Sequence, residues 1–305
     1  MLRAGNGIIR TGALSAMAAF VWASYYPLLF FVRELGPLSL FFYPSLFGGI
    51  AFLGYGFLAR KTGRPTRKRD FVIPAAGYLS SQWSIILSSL LNGVILTSTF
   101  VLLGDTLLSP AIMILGGRSK NRPIMPYFIT GMAILLFSVI FLSVQGPLKV
   151  EFSPLPMAVL VLTPVLVSLF FIYTNERIET DGLVSILTPC FLVAALISLP
   201  LVLTGRIGGL NVNMVELGVL ISIGITSMFL GYLFFFVASD SGNFVLASVL
   251  MSLIPVFTVI LQSLIYRRFP GIFDVLLIAG VCAGAAICTL GFSAQVDGLR
   301  EAHLS

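Results

Sequence analysis

A chain of 305 residues with 58% hydrophobic and 10% charged side chains lies far from the globular norm of about 45–50% apolar and about 25% charged. A soluble protein of this size needs a largely polar shell, and 18 Lys and Arg plus 12 Asp and Glu cannot supply one. The chain therefore reads as dissolved in lipid, which excludes a soluble enzyme, a disordered scaffold and a nucleic-acid binder; its net charge of +6 sits in short loops between apolar runs, where it orients a chain in a bilayer.

A helix needs about 20 apolar residues to cross about 30 Å of hydrocarbon. Charged and turn-rich breaks predict ten spans, at 12–32, 38–59, 71–91, 93–115, 124–145, 156–174, 183–203, 215–238, 243–266 and 273–293. No connection is long enough to fold as a separate domain. Arg3 and Arg10 precede the first span as they would a signal peptide, but the apolar stretch runs on to Phe31 and Val32. No small-residue cleavage site follows, so the span reads as a retained helix. With the N-terminus inside, the inner segments hold 13 basic residues (Arg3, Arg10, Arg60, Lys61, Arg64, Arg67, Lys68, Arg69, Arg118, Lys120, Arg122, Arg177 and Arg300). The outer loops hold five (Arg33, Lys149, Arg206, Arg267 and Arg268). That bias puts both termini in the cytoplasm. The expected location is the plasma membrane of a prokaryote.

Folding the sequence near residue 150 aligns its halves. Pro44-Ser45-Leu46-Phe47 matches Pro189-Cys190-Phe191-Leu192, and Asn92-Gly93-Val94 matches Asn243-Phe244-Val245. Gly131-Met132-Ala133 matches Gly280-Val281-Cys282, and Thr62-Gly63 matches Thr204-Gly205. Five spans is an odd number, so the second copy must enter the membrane upside down. The expected fold is an all-α polytopic membrane protein with ten transmembrane helices, built as two inverted five-helix repeats (1–148 and 149–305). Inverted repeats are the architecture of alternating-access carriers.

Ten spans in two five-helix halves, Trp22-Ala23-Ser24 in the first helix, and Asn243, Pro255 and Gly280 in the last two resemble the drug/metabolite transporter superfamily and its EamA-type domain. The resemblance covers essentially the whole chain and is clearest over 240–292. It departs at Tyr43-Pro44, where the family often has a basic residue, and at Arg118-Ser119-Lys120 and Arg267-Arg268, where an acidic residue followed by Arg is common. The resemblance implies a small-metabolite exporter or exchanger with a central cavity lined mainly by helices one, three, four, six, eight and nine.

Asp105 lies thirteen positions into the 23-residue fourth span. A mid-bilayer Asp costs about 2.5–3.5 kcal/mol on insertion scales and usually marks a substrate or proton pathway. Its partner is either a proton or a substrate ammonium; the structural alternative is a hydrogen bond to a carbonyl freed by Pro110. Gln82 and Trp83 sit mid-span in the third helix among Ser80, Ser81, Ser84, Ser88 and Ser89. The serines read as close helix packing, Gln82 as a cavity candidate. Trp22, Tyr25 and Tyr26 precede Pro27, and with Tyr232 and Gln262 they complete the candidate lining, since aromatics line pockets for organic substrates. Asp240 reads as interfacial, and Asn92 and Asn243 as N-caps of the fourth and ninth helices. Pro44 and Pro189 recur as candidate hinges. Gly280, Gly284 and Gly291 read as close packing within the monomer, with a dimer face as the alternative. Cys190, Cys282 and Cys288 read as small apolar packers.

No catalytic residue, metal or cofactor is expected. A nucleotide-driven pump lacks its GxxxxGK[ST] loop, since Gly116-Gly117-Arg118-Ser119-Lys120 does not match one, and the only histidine is His303. Leu102-Leu103-Gly104-Asp105 is not a Gly-x-Gly-Asp aspartyl-protease motif. The expected function is secondary transport of small organic solutes, such as amino acids or related metabolites, outward by alternating access with proton coupling or exchange. The expected partners are that substrate, the lipid bilayer and protons, with no nucleic acid, in a monomer or homodimer. The alternative is a passive channel or facilitator, or a lipid-handling protein, although no repeated polar ring suggests a filter.

Overall fold

The computed structural model describes residues 2–32, 34–59, 71–92, 97, 100–102, 104–117, 123–145, 154–204, 211–239, 243–267 and 271–302. Among these residues every regular element is helical, and ten helices follow one another close to the predicted spans. Helix α1 (Leu2–Ala23) breaks at Ser24 and continues through Tyr25–Leu29 into a 3₁₀ turn at Phe30–Val32. Next come α2 (Pro37–Leu58) and α3 (Val72–Asn92), then α4, which passes from a π-helical turn at Gly104–Leu108 into Ser109–Leu115. Helix α5 is Met125–Gln145, α6 is Pro154–Asp181 and α7 is Leu183–Leu203. Helix α8 joins Met214–Ile223, a π-helical Gly224–Gly231 and Tyr232–Ser239. Helix α9 joins Phe244–Leu250, a 3₁₀ turn at Met251–Leu253 and Ile254–Tyr266, and α10 is Ile272–Ala302.

Three helices outrun their apolar stretches: α1 begins at Leu2, α6 runs to Asp181 and α10 to Ala302. Hydropathy marks where lipid would end, not where helical hydrogen bonding ends, and polar helix formers such as Glu176, Arg177 and Glu179 carry α6 onward. A single residue, Gly182, joins α6 to α7 at φ 84°, a left-handed conformation that glycine adopts without a Cβ penalty.

Among the described residues, five helices are long and apolar enough to cross a membrane by length and composition: Pro37–Leu58, Pro154–Asp181, Leu183–Leu203, Met214–Ser239 and Phe244–Ile265. Four shorter apolar helices, within α1, α4, α5 and α10, accompany them. Serine-rich α3 meets neither description, and it packs on α6 and α7. The outward faces of the bundle carry large apolar side chains, among them Phe57, Phe137, Leu196, Leu264 and Leu290, each more than half exposed. In water such a surface would be an aggregation site; in hydrocarbon it is the solvated face.

The helices pair across the two halves. Helix α1 packs on α8 and α3 on α6, while α2 packs on α7, α4 on α9 and α5 on α10. Exchanging the first five helices for the last five leaves this pairing unchanged. Glycine sets the closest seam. A Cβ on Gly131 of α5 would lie 2.7 Å from the Gly284 carbonyl oxygen of α10, and one on Gly284 would lie 2.9 Å from the Gly131 carbonyl oxygen. Gly280 meets Ser138, and a Cβ on Gly291 would lie 3.1 Å from Tyr127 Cβ. The glycine faces are therefore packing surfaces within one chain.

The expected hinges at Pro44 and Pro189 are not where the helices break. Helices α2 and α7 remain α-helical through both prolines, because a proline costs an interior helix one hydrogen bond that neighbouring groups can replace inside a bundle. Irregularities fall instead at Ser24 of α1, over Gly224–Gly231 of α8 and, one residue before Pro110 and Pro255, in α4 and α9. Here a π turn and a 3₁₀ turn occupy corresponding places in the two halves. Cys190 and Cys288 are buried packers as expected, but Cys282 faces outward.

Candidate functional site

The centre of the bundle is a cluster of aromatic rings drawn from α1, α3, α6, α7 and α8. The Tyr232 ring of α8 stacks on Phe171 of α6, with centroids 5.8 Å apart and planes 7° apart. Trp22 of α1 meets Tyr232 edge-on at 5.2 Å, as does Phe191 of α7 at 5.2 Å. Tyr78 of α3 joins the same ring at 6.4 Å. Two of these residues are also fixed by polar bonds. Trp22 Nε1 donates to the Ser227 carbonyl at 2.8 Å. That carbonyl belongs to the π-helical stretch of α8, where the helical ladder is out of α register. The Tyr78 hydroxyl donates to Met228 Sδ at 3.6 Å and shares a 2.9 Å hydrogen bond with Ser45 Oγ of α2.

Polar groups flank the rings. The Gln82 side chain hydrogen-bonds the Tyr232 hydroxyl, and Asp105 lies close enough to Tyr232 to act on it electrostatically. Asp105 is only 8% exposed, and its Oδ1 has no hydrogen-bond partner among the described residues. Local geometry explains the placement. Gly104 lets α4 touch the α6 backbone, for a Cβ there would stand 2.7 Å from the Pro164 carbonyl oxygen. The Gly104 carbonyl accepts from Ser109 Oγ at 3.1 Å and from Ser168 Oγ of α6 at 2.8 Å. Hydroxyls thus satisfy the irregular backbone of α4, and the Asp105 carboxyl is left out of that network.

On either side of the central rings the helices are tied by hydrogen bonds. Along α6, Phe170 and Phe171 lie between Thr163 and Asn175. Thr163 Oγ1 shares its proton between the Ser84 carbonyl of α3, at 3.3 Å, and the Val159 carbonyl of its own helix, at 2.8 Å. Nearby, Ser88 Oγ and Thr97 Oγ1 are 2.9 Å apart. Beyond the other face of the rings, Ser239 Oγ of α8 donates to Asn175 Oδ1 at 2.8 Å. There Thr11 Oγ1 of α1 donates to the Ala238 carbonyl at 3.2 Å and accepts from Asn243 Nδ2 at 3.1 Å. The two threonine bonds correspond: Thr163 is Thr11 displaced by 152 positions, and Ala238 is Ser84 displaced by 154.

The predicted lining residues therefore divide. Gln82 and Trp22 join Tyr232 at the centre, and Asp105 lies within electrostatic reach of Tyr232. Trp83 lies to one side, against Phe41 at 5.9 Å, and it packs with Tyr25 around a separate core of Val32, Leu38 and Phe42. Gln262 is exposed, beside exposed Leu264 and Ile265 on the outside of α9, so it does not join the others. The Tyr26 side chain and all of Asp240 lie outside the described residues. Asn243 does precede α9, but its side chain makes no cap; the amide is used on Thr11 instead, because that buried hydroxyl needs a donor. Asn92 is the last residue of α3 rather than a cap of α4, and its side chain lies outside the described residues. Ser81, Ser84 and Ser88 of α3 are buried as expected of packing groups, with Ser81 and Ser84 bonded to carbonyls within the helix; Ser80 is exposed, and the Ser89 side chain lies outside the described residues. Sequence reasoning passed over Thr11, Thr163 and Ser168, which are ordinary in composition; the repeat offset was the signal that links the first two.

The model of the EamA-like transporter family matches residues 154–290. That stretch, α6 to most of α10, is similar to an EamA-like transporter domain. The apolar helices mark an integral multi-pass membrane protein, and its residues 154–290 are similar to a family of small-solute transporters. A solved crystal structure superimposes with a TM-score of 0.77 over 93% of this chain and 98% of that chain, at 17% identity. That likeness shows a common fold for both halves, the EamA domain and the segment before it. No curated protein matches the chain.

Proposed function

We propose that this chain is a secondary carrier that moves small organic solutes, amino acids or related metabolites, out of the cell by alternating access. It does so as two inverted repeats, 1–148 and 149–305, with Asp105 as the coupling group. The observation that carries the reading is the buried Asp105 carboxyl, unpartnered at Oδ1 among the described residues and within electrostatic reach of Tyr232. In hydrocarbon such a group is retained when it exchanges partners, here a proton or a substrate cation. Support for alternating access comes from the two-fold pairing of helices and from the corresponding bonds of Thr11 and Thr163 on opposite sides of the rings. A carrier must be closed on at least one side at a time, and each bond is placed to hold one side shut. Both termini lie in the cytoplasm on this reading.

Purified protein in liposomes preloaded with a candidate solute should show saturable counterflow, which a channel does not. Asp105→Asn should abolish pH-gradient-driven uptake at unchanged folded yield. Unaltered pH dependence in that variant removes Asp105 from the coupling step.

A further inference from the structure

We infer that Gly224–Gly231 of α8 is a register switch between π and α bonding. Its change of register turns the end of α8 that joins the aromatic centre to the Thr11 side of the bundle. This rests on the carrier reading and supplies its moving part. The first ground is the stretch itself. A π turn closes i→i+5 bonds where an α turn closes i→i+4, so it holds one residue more than a regular helix uses. Glycine stands at both ends, and both glycines are points of close approach. A Cβ on Gly224 would lie 2.7 Å from Phe47 Cβ of α2, and one on Gly231 would meet the Trp22 ring of α1. Neighbours thus grip the stretch where it begins and ends, and the irregular bonding lies between.

The second ground is what holds the register. Two donors from other helices land on successive residues, Trp22 Nε1 on the Ser227 carbonyl at 2.8 Å and the Tyr78 hydroxyl on Met228 Sδ at 3.6 Å. Against them stands the Ser227 hydroxyl, 2% exposed and without a partner among the described residues. A buried hydroxyl left unsatisfied is costly. In α register it meets the Ile223 carbonyl four residues back, the kind of bond that Ser222 makes to Gly218 and Thr226 to Ser222, each at 2.8 Å. Trp22 and Tyr78 thus hold the π register, and Ser227 pulls toward the α register. The third ground is what the switch moves. Beyond the stretch, Tyr232 stands among the rings, and Ala238 and Ser239 bond Thr11 of α1 and Asn175 of α6. Withdrawing one residue turns that end by about 100° and shifts it by about 1.5 Å. The Ala238 and Ser239 bonds do not survive such a turn, so contacts made by Trp22 and Tyr78 at the centre decide whether the Thr11 side stays shut.

The test is the rate at which a maleimide reaches Ser15→Cys, one turn from Thr11, against the rate at Val167→Cys, one turn from Thr163. Both positions are buried, and exposed Cys282 is replaced by serine. Tyr78→Phe keeps the ring and deletes the bond to Met228. It should speed labelling at position 15 about 2- to 10-fold, the scale of one hydrogen bond, and leave position 167 unchanged. Met228→Leu removes the same bond from the other side and carries the test should Tyr78→Phe not fold. Ser227→Ala deletes the hydroxyl that gains a partner in α register, so it should slow labelling at position 15 about 2- to 10-fold. General loosening of the bundle speeds both positions and slows neither. An unchanged or raised rate in Ser227→Ala, or a bond deletion that leaves position 15 unmoved or acts equally at both positions, overturns the switch. Counterflow in liposomes keeps the two readings apart. Counterflow with labelling unmoved leaves the carrier and overturns the switch; opposite shifts in labelling without counterflow leave the switch and overturn the carrier.

Discussion

Replacing Thr11 with valine keeps the branched side chain and deletes the hydroxyl that joins three helices. Two interhelical bonds go with it, one to the Ala238 carbonyl and one from Asn243 Nδ2. Bonds between membrane helices average about 0.6 kcal/mol, and net values reach about 1.5 kcal/mol each. Two of them amount to about 1–3 kcal/mol, a shift of about 5- to 150-fold between two conformers that differ at this contact. Thr163→Val removes one longer bond, to Ser84, and at about 0.6 kcal/mol should shift the opposite opening about threefold. Cysteines introduced one turn deeper report on each side: Ser15→Cys on α1 and Val167→Cys on α6, both buried positions, in a background where exposed Cys282 is replaced by serine. Thr11→Val should speed maleimide labelling at position 15 by the larger factor and leave position 167 unchanged or slower. Thr163→Val should do the reverse to a smaller degree. Equal acceleration at both positions in either variant would mean general loosening, and it would refute the idea that the two threonines close opposite sides.

Other outcomes follow from close contacts. Gly104→Ala should lower the melting temperature in detergent by the equivalent of about 1–3 kcal/mol, since its Cβ would meet Pro164 backbone; an unchanged melting temperature would remove the α4–α6 contact from the stability of the fold. Asn243→Asp should destabilise the protein by about 1–3 kcal/mol, because the buried Thr11 hydroxyl loses a donor, whereas at a true N-cap the exchange is nearly neutral; thermal melting of the two variants Asn243→Asp and Asn243→Ala decides between the roles. Trp22→Phe preserves a ring and strips the Ser227 carbonyl of its donor, so a loss of about 1–3 kcal/mol is expected from the bared group, and full stability in chemical denaturation would argue that the carbonyl finds another partner.

Much of the architecture is legible from hydropathy, because the charged and turn-rich breaks between apolar runs fall near the ends of the ten helices. The pairing of helices across the two halves agrees with the offset of about 150 residues between the matched stretches. Asp105 stood out because a lone acid in hydrocarbon has few structural uses. What could not be read were facts of rotation and register. Gln262 is as polar as Gln82, and only the packing of α9 turns it outward. Asn243 sits at a helix start and looks like a cap, but a buried hydroxyl on a helix 232 positions earlier claims its amide. Pro44 and Pro110 look alike in sequence, although only the second follows a π turn, since helix breaks depend on which neighbours can supply substitute hydrogen bonds.

The weak hydropathy of α3 and the acid in α4 also bear on how the molecule is made. Neither segment partitions readily into lipid alone, yet both emerge from the ribosome before α6, whose Thr163 and Ser168 serve their carbonyls. The carbonyls of Ser84 and Gly104 thus gain these partners only once α6 packs on α3 and α4, so the first half of the bundle is completed by a helix of the second.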